Sequence, residues 1–154
     1  MRTIVLGIGN DLRADDGAGI FAAREIEAWI RKQKHIDDVL VICTQNPENH
    51  TREMVTFQPL RIYVIDAANF YGKPGEFAVV DEDRISEFST STHGLPLPLI
   101  MKTVKERLNF SKPEIKYVCI QPKVIEFGVP MSREVRNGSM DAADFVKRLI
   151  SEQQ

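Results

Sequence analysis

The sequence predicts an α/β sandwich built around a mainly parallel sheet, and two observations carry that expectation. Short apolar runs rich in β-branched residues, such as "RTIVLGI" and "RIYVIDA", have the continuous hydrophobicity of strands covered on both faces. Between such runs lie stretches whose apolar residues recur at helical spacing. The resulting order, β-α-β-α-β-β-α-β-α, is that of a layered α/β domain.

Each element has its own signal. After the first strand, residues 17 to 33 place Ala22, Ile26, Trp29 and Ile30 on one helical face, and "RKQK" supplies charge suited to a helix C-terminus. "DVLVICT" (38 to 44) reads as the second strand and "PENHTREMVTF" as a short helix or loop. "RIYVIDA" (61 to 67) is the third strand, apolar until it reaches Asp66. The turn Gly-Lys-Pro-Gly leads into a fourth short strand near 76 to 80, which so short a connection places at a sheet edge, open to antiparallel pairing. In "STSTHGLPLPLIMKTVKERL", capping hydroxyls and two prolines precede Ile100, Val104 and Leu108 at helical spacing, so a helix is expected from about Leu95 or Pro96. "EIKYVCIQ" is the fifth strand. "MSREVRNGSMDAADFVKRLI" is a final helix with Ala142, Val146, Leu149 and Ile150 as its buried stripe and Gly138 weakening its beginning. No repeat, low-complexity stretch or linker interrupts the chain, and one domain spanning residues 1–154 is expected.

Composition narrows the function classes. The 154 residues carry 20 basic and 22 acidic side chains, which gives no basic footprint for nucleic acid and no polybasic stretch for a membrane surface. The apolar runs "TIVLGIG" and "LPLPLIM" are too short to span a bilayer, and "MRTIVLGIGN" lacks the apolar core and cleavage site of a secretory signal. The expected compartment is the cytoplasm and the expected state, for so balanced a surface, a monomer. Cys43 and Cys119 both fall inside strand-like runs and read as buried reduced thiols, with no CxxC pair for zinc or redox chemistry.

The stretch "GIGNDLRADDGAGI" (7 to 20) begins like a dinucleotide-binding loop but departs from one. Leu12 stands where the third glycine of G-x-G-x-x-G belongs, and Asp15 and Asp16 would repel a pyrophosphate. One aspartate, Asp15, is expected to cap the following helix; Asp16 is then left for solvent or a ligand. Asp66 ends an apolar strand at the edge where sites assemble in open α/β sheets, the same rim that the loop of Asp16 leaves. His93, in "STSTHGLP", precedes a helix and adjoins Gly94. His35, in "RKQKH", reads as an exposed polar residue, while His50, in "PENHT", lacks a strand-end position. Two carboxylates and an imidazole on one rim would make a mixed oxygen and nitrogen site for a divalent transition metal, with positions left open for water or substrate. Each of the three also has a plain structural reading as a cap, a turn residue or an exposed loop side chain.

Four blocks in register, "VLGIGNDLRADDGAGI", "YVIDAANFYGKPGE", "STHGLPL" and "CIQPKVIEFGVPMS", resemble the hydrogenase maturation endopeptidases, most of all the branch serving hydrogenase 3-type and related archaeal enzymes. The resemblance runs from residue 3 to about 150. It implies a three-layer α/β/α sandwich with a twisted five-stranded sheet. It also implies removal of a short C-terminal extension from the large-subunit precursor of a [NiFe]-hydrogenase, after nickel insertion. The family's metal-binding acid falls on Asp16, its strand-end aspartate on Asp66 and its histidine on His93. Those three are therefore the expected catalytic and metal residues, and nickel, carried by the precursor, the expected cofactor. One departure stands out: where many members carry an acidic residue and two glycines, this chain has Cys43-Thr44-Gln45 followed by "NPEN", which leaves Gln45, Asn46 or Glu48 as possible substrate contacts.

The chemistry expected of such a site is a metal-polarised carbonyl, an activated water, or an aspartate acting as general base beside the metal. No G-x-S-x-G nucleophile turn and no H-E-x-x-H zinc motif occurs. Two other functions fit the same residues: a nickel-recognition chaperone that docks without cutting, and a different metal-dependent hydrolase acting on small substrates.

Overall fold

The computed structural model describes residues 1–90, 96–110 and 112–153. Its elements are β1 (Thr3–Ile8), α1 (Ala18–Ile30), β2 (Val39–Thr44), α2 (Thr51–Phe57), β3 (Arg61–Asn69), β4 (Phe77–Asp81), β5 (Ser89–Thr90), α3 (Leu97–Arg107), β6 (Glu114–Ile120) and α4 (Arg133–Ser151). The sheet runs β2-β1-β3-β6-β4. Its first four strands are parallel, and β4 pairs antiparallel to β6 at the edge, as the short Gly-Lys-Pro-Gly connection requires. The five expected strands are all present. β5 was not expected: it joins Ala68 and Asn69 to Thr90 and Ser89, a pairing too short to leave any periodicity in the sequence.

Alternation along the strands divides the core in two. Ile62 and Val64 of β3 face the layer of α2 and α3, with Met54, Ile100, Met101 and Val104. Tyr63 and Ile65 face the layer of α1 and α4, with Ala22, Ile26, Ala142 and Val146. Both faces of the sheet are therefore covered, which is why its central strands are apolar throughout. The stripes read from helical spacing face the core, with Trp29, Ile30, Leu108 and Leu149 only partly buried.

One boundary and one glycine add to the sequence expectation. α3 begins at Leu97 with Pro96 as its N-cap, so the first proline ends the incoming loop and Pro98 occupies the tolerant first turn. Gly138 has a packing role that the sequence does not show. It lies buried within the helix, and a methyl group placed on it would sit 1.9 Å from the carbonyl oxygen of Gly75 in the β3–β4 turn. The glycine lets α4 lie directly against that turn.

Because β1, β3 and β6 run in the same direction, their carboxyl ends form one rim. The β1–α1, β3–β4 and β6–α4 loops all leave it.

Candidate active site

The β1–α1 loop is closed on itself by backbone amides that bond to backbone and side-chain oxygens. Arg13 N–H donates to Asn10 O and Asp16 N–H to Arg13 O, both at 3.1 Å. Asn10 Oδ1 accepts from Leu12 N–H at 3.0 Å, and Asp16 Oδ2 accepts from Asn10 N–H at 3.2 Å. Gly9, at φ +149°, makes the closure possible: a Cβ there would stand 2.0 Å from the backbone oxygen of Asp16. The opening glycines thus bring the chain under Asp16 rather than around a phosphate.

Asp16 sits in a single 3-10 turn, Ala14–Gly17, and is 3 % exposed. Its Oδ1 atom is buried and accepts no hydrogen bond among the described residues. A buried carboxylate oxygen left in that state is costly unless a cation meets it. Asp66 is equally buried, at 3 % exposure, and lies on β3 beside Cys119 of β6. Burial first, and then the neighbouring Asp66 charge, pushes the Cys119 thiol up to about 12.

Gly19 couples the two aspartates. A methyl group on it would fall 2.2 Å from the carbonyl oxygen of Ile65 and 2.5 Å from that of Ile8. The first turn of α1 therefore rests on the seam between β1 and β3, one residue before Asp66, and the 3-10 turn carrying Asp16 packs on β3. The helix-packing glycine missing at position 12 is thus supplied seven residues later. His93 lies outside the described residues. Its flanks are anchored: Thr90 pairs with Ala68, two residues beyond Asp66, and Pro96 opens α3. Among the described residues, no three His, Cys, Asp or Glu side chains gather into a metal-binding group. His50 is engaged by Glu53 at 2.9 Å on α2, and His35 is exposed.

The expected role of Asp15 is overturned. The N-cap of α1 is Gly17, with no side-chain cap. Asp15 is fully buried and instead reaches across to the β6–α4 loop. Its Oδ2 accepts from Lys123 N–H (2.9 Å), Val124 N–H (2.8 Å) and the Ser132 hydroxyl (2.9 Å), and its Oδ1 accepts from Ser132 N–H at 2.7 Å. Ser132 is the N-cap residue of α4, so the charge serves the positive end of the last helix instead of the first. Such a partner, more than a hundred positions away, has no local signature in sequence.

Gln121 is a second residue that the sequence reading passed over. Its Oε1 accepts from Phe70 N–H (3.0 Å) and Gly72 N–H (3.1 Å), while its Nε2 donates to Asn69 Oδ1 at 3.1 Å. It fixes the β3–β4 loop on the rim and holds Tyr71 in a left-handed conformation with its ring almost wholly exposed. The available signal was a polar residue closing the apolar run "YVCIQ".

At the end of β2, Thr44 O accepts from Gly9 N–H at 3.2 Å and Thr44 Oγ1 from Asn46 N–H at 3.0 Å. The departing stretch Cys43-Thr44-Gln45 therefore braces the neighbouring loop, while Gln45 and Asn46 are exposed and Glu48 is half-buried. Cys43 is half-buried rather than buried, and burial raises its thiol above the ordinary value. A groove of about 740 Å3 between Trp29, Phe77 and the C-terminal half of α4 holds none of the candidate residues.

Known proteins share this arrangement of chain. A family model described as hydrogenase maturation protease matches residues 45–149. A putative hydrogenase maturation protease of Methanocaldococcus jannaschii is 33 % identical over 139 residues, covering 88 % of this chain and 80 % of its own. The hydrogenase 3 maturation protease of Escherichia coli K12 is 29 % identical, over 89 % of this chain and 83 % of its own. Among solved structures, the [NiFe] hydrogenase maturation protease HycI of Thermococcus kodakarensis superposes with a TM-score of 0.82 at 28 % identity, over 97 % of this chain and 92 % of its own. With its family model, its relatives and its α/β architecture in agreement, this chain belongs to the hydrogenase maturation protease family and is by class an endopeptidase.

Proposed function

We propose that this endopeptidase removes the C-terminal extension of a [NiFe]-hydrogenase large-subunit precursor after nickel insertion, with Asp16, Asp66 and His93 as its metal-contacting and catalytic residues. It acts as a single-domain monomer in the cytoplasm. Nickel belongs to the substrate: the precursor brings it, and the protease supplies an incomplete shell that holds free metal only weakly.

The observation that carries this reading is the buried Oδ1 of Asp16, which accepts no hydrogen bond among the described residues. A carboxylate with one oxygen tied to Asn10 N–H and the other left for a cation is a rigid, pre-aimed ligand. Asp66, buried on the adjacent strand, supports it, as do the anchored flanks of His93. Thr90 is paired beside β3, and three residues reach about 10 Å from it. Mixed oxygen and imidazole donors suit a divalent transition metal. Nickel held there would polarise the scissile carbonyl. The chain's own part is to orient that peptide, to accept on a carboxylate oxygen a proton from the water that attacks the scissile carbonyl, and to return that proton to the departing amine as the peptide bond is cut.

The test is incubation with nickel-loaded and metal-free precursor, read by intact mass. A small, discrete mass loss confined to the loaded precursor is the expected result. Equal cleavage of both overturns the nickel-recognition mechanism, and binding without mass loss indicates a chaperone.

A further inference from the structure

The rim carries apolar side chains that the fold holds out in water. Leu12, at the tip of the β1–α1 loop, is 69 % exposed, and Phe127, in the β6–α4 loop, is 71 % exposed, with Val129 close by in sequence and also exposed. The two loops are joined: Gly128 N–H donates to Leu12 O at 3.1 Å, and the Arg13 guanidinium lies 5.1 Å from the centre of the Phe127 ring. Asp15 pins the second loop at both ends, at Lys123 and Val124 on one side and Ser132 on the other. A slack loop would fold such side chains inward; this one is denied that freedom. Large apolar side chains kept exposed on two joined loops by buried hydrogen bonds mark a candidate interaction site.

We infer that Leu12, Phe127 and Val129 form the docking platform for the polypeptide that flanks the scissile bond of the hydrogenase precursor. The inference rests on the function proposed above. Position identifies the occupant. Leu12 precedes Asp16 by four residues, so the platform begins at most about 14 Å from that carboxylate. A protein chain that brings its scissile peptide to Asp16 passes within reach of it. The chemistry on offer is apolar, with one guanidinium stacked on an aromatic ring, and it selects an apolar segment of the precursor. Docking energy gathered there, away from the reacting bond, can be used to position that bond.

The experiment measures kcat and KM with nickel-loaded precursor for wild type, Leu12→Ser, Phe127→Ser, the double variant, and Phe110→Ser. Phe110 is 83 % exposed in the α3–β6 connection and serves as a control for loss of an exposed phenylalanine. The double variant is expected to lose at least tenfold in kcat/KM, mainly through KM, with each single variant intermediate and the control unchanged. Because all three side chains are exposed, melting temperatures should match wild type. A double variant within twofold of wild type overturns the inference. So does a wild-type dimer, seen by light scattering, that the double substitution dissociates, since the occupant is then a second copy. If wild type cleaves no loaded precursor, the proposed function fails. Calorimetric binding of intact precursor then tests the platform separately: unaltered affinity in the double variant rejects it, and a tenfold loss supports it.

Discussion

Asp66 and Cys119 are register partners on β3 and β6, and the carboxylate adds its charge to burial in pushing the thiol up to about 12. The thiol is therefore kept protonated beside the candidate site and is no nucleophile at neutral pH. In native protein at pH 8, iodoacetamide should label half-buried Cys43 slowly and leave Cys119 untouched until the chain unfolds. Peptide mapping by mass spectrometry would show this, and equal labelling of the two would contradict it. The same shift predicts alkaline weakening. The folded value lies above the ordinary 9.0, so its contribution is intact below about pH 9 and is lost as pH climbs toward 12. Buried Tyr117, shifted the same way by burial, acts in the same sense.

Replacing Asp16 by Asn should separate stability from function. The amide keeps an oxygen for Asn10 N–H but removes a buried charge whose Oδ1 accepts no hydrogen bond among the described residues. Relief of about 1 kcal/mol would raise the melting temperature by roughly 2–4 °C. Cleavage of loaded precursor should fall at least a hundredfold. A variant that is both less stable and still active would contradict a ligand role for this carboxylate.

Asp15→Ala should do the reverse, costing stability outright. Three backbone amides and one hydroxyl lose a common buried acceptor. The expected loss is about 3–5 kcal/mol, visible as a fall in the urea midpoint with little change in slope. A loss under about 1 kcal/mol would mean that water replaces the carboxylate and that the clamp contributes little.

The sequence revealed the parts of this molecule that rest on short-range chemistry. The succession of strands and helices along the chain and the helix stripes follow from periodicity, and the edge position of β4 follows from its short connection. The rim positions of Asp16 and Asp66 follow from where apolar strands stop. What it concealed depends on contacts between distant segments. Gly138 reads as a weak helix start until Gly75 is seen against it. Asp15 reads as a local cap until Ser132 is seen to hold it, 117 positions away. Gln121 looks like a strand terminus, although its side chain governs a loop some fifty residues earlier. His93 has its chemistry written in the sequence, and its place falls outside the described residues.

The bond between Asp15 and Ser132 also orders events in time. β1 and its loop emerge first during synthesis, yet the Asp15 carboxylate at their end finds its partners only when the β6–α4 loop and the start of α4 arrive. All strands of the sheet can pair before then, since β6 ends at Ile120. The loop bearing Asp16 is therefore set among the last contacts of folding, at the high end of sequence separation where closure is slow. A nascent chain of this protease can possess its whole sheet while the loop bearing Asp16 still lacks the clamp that Asp15 makes with Ser132.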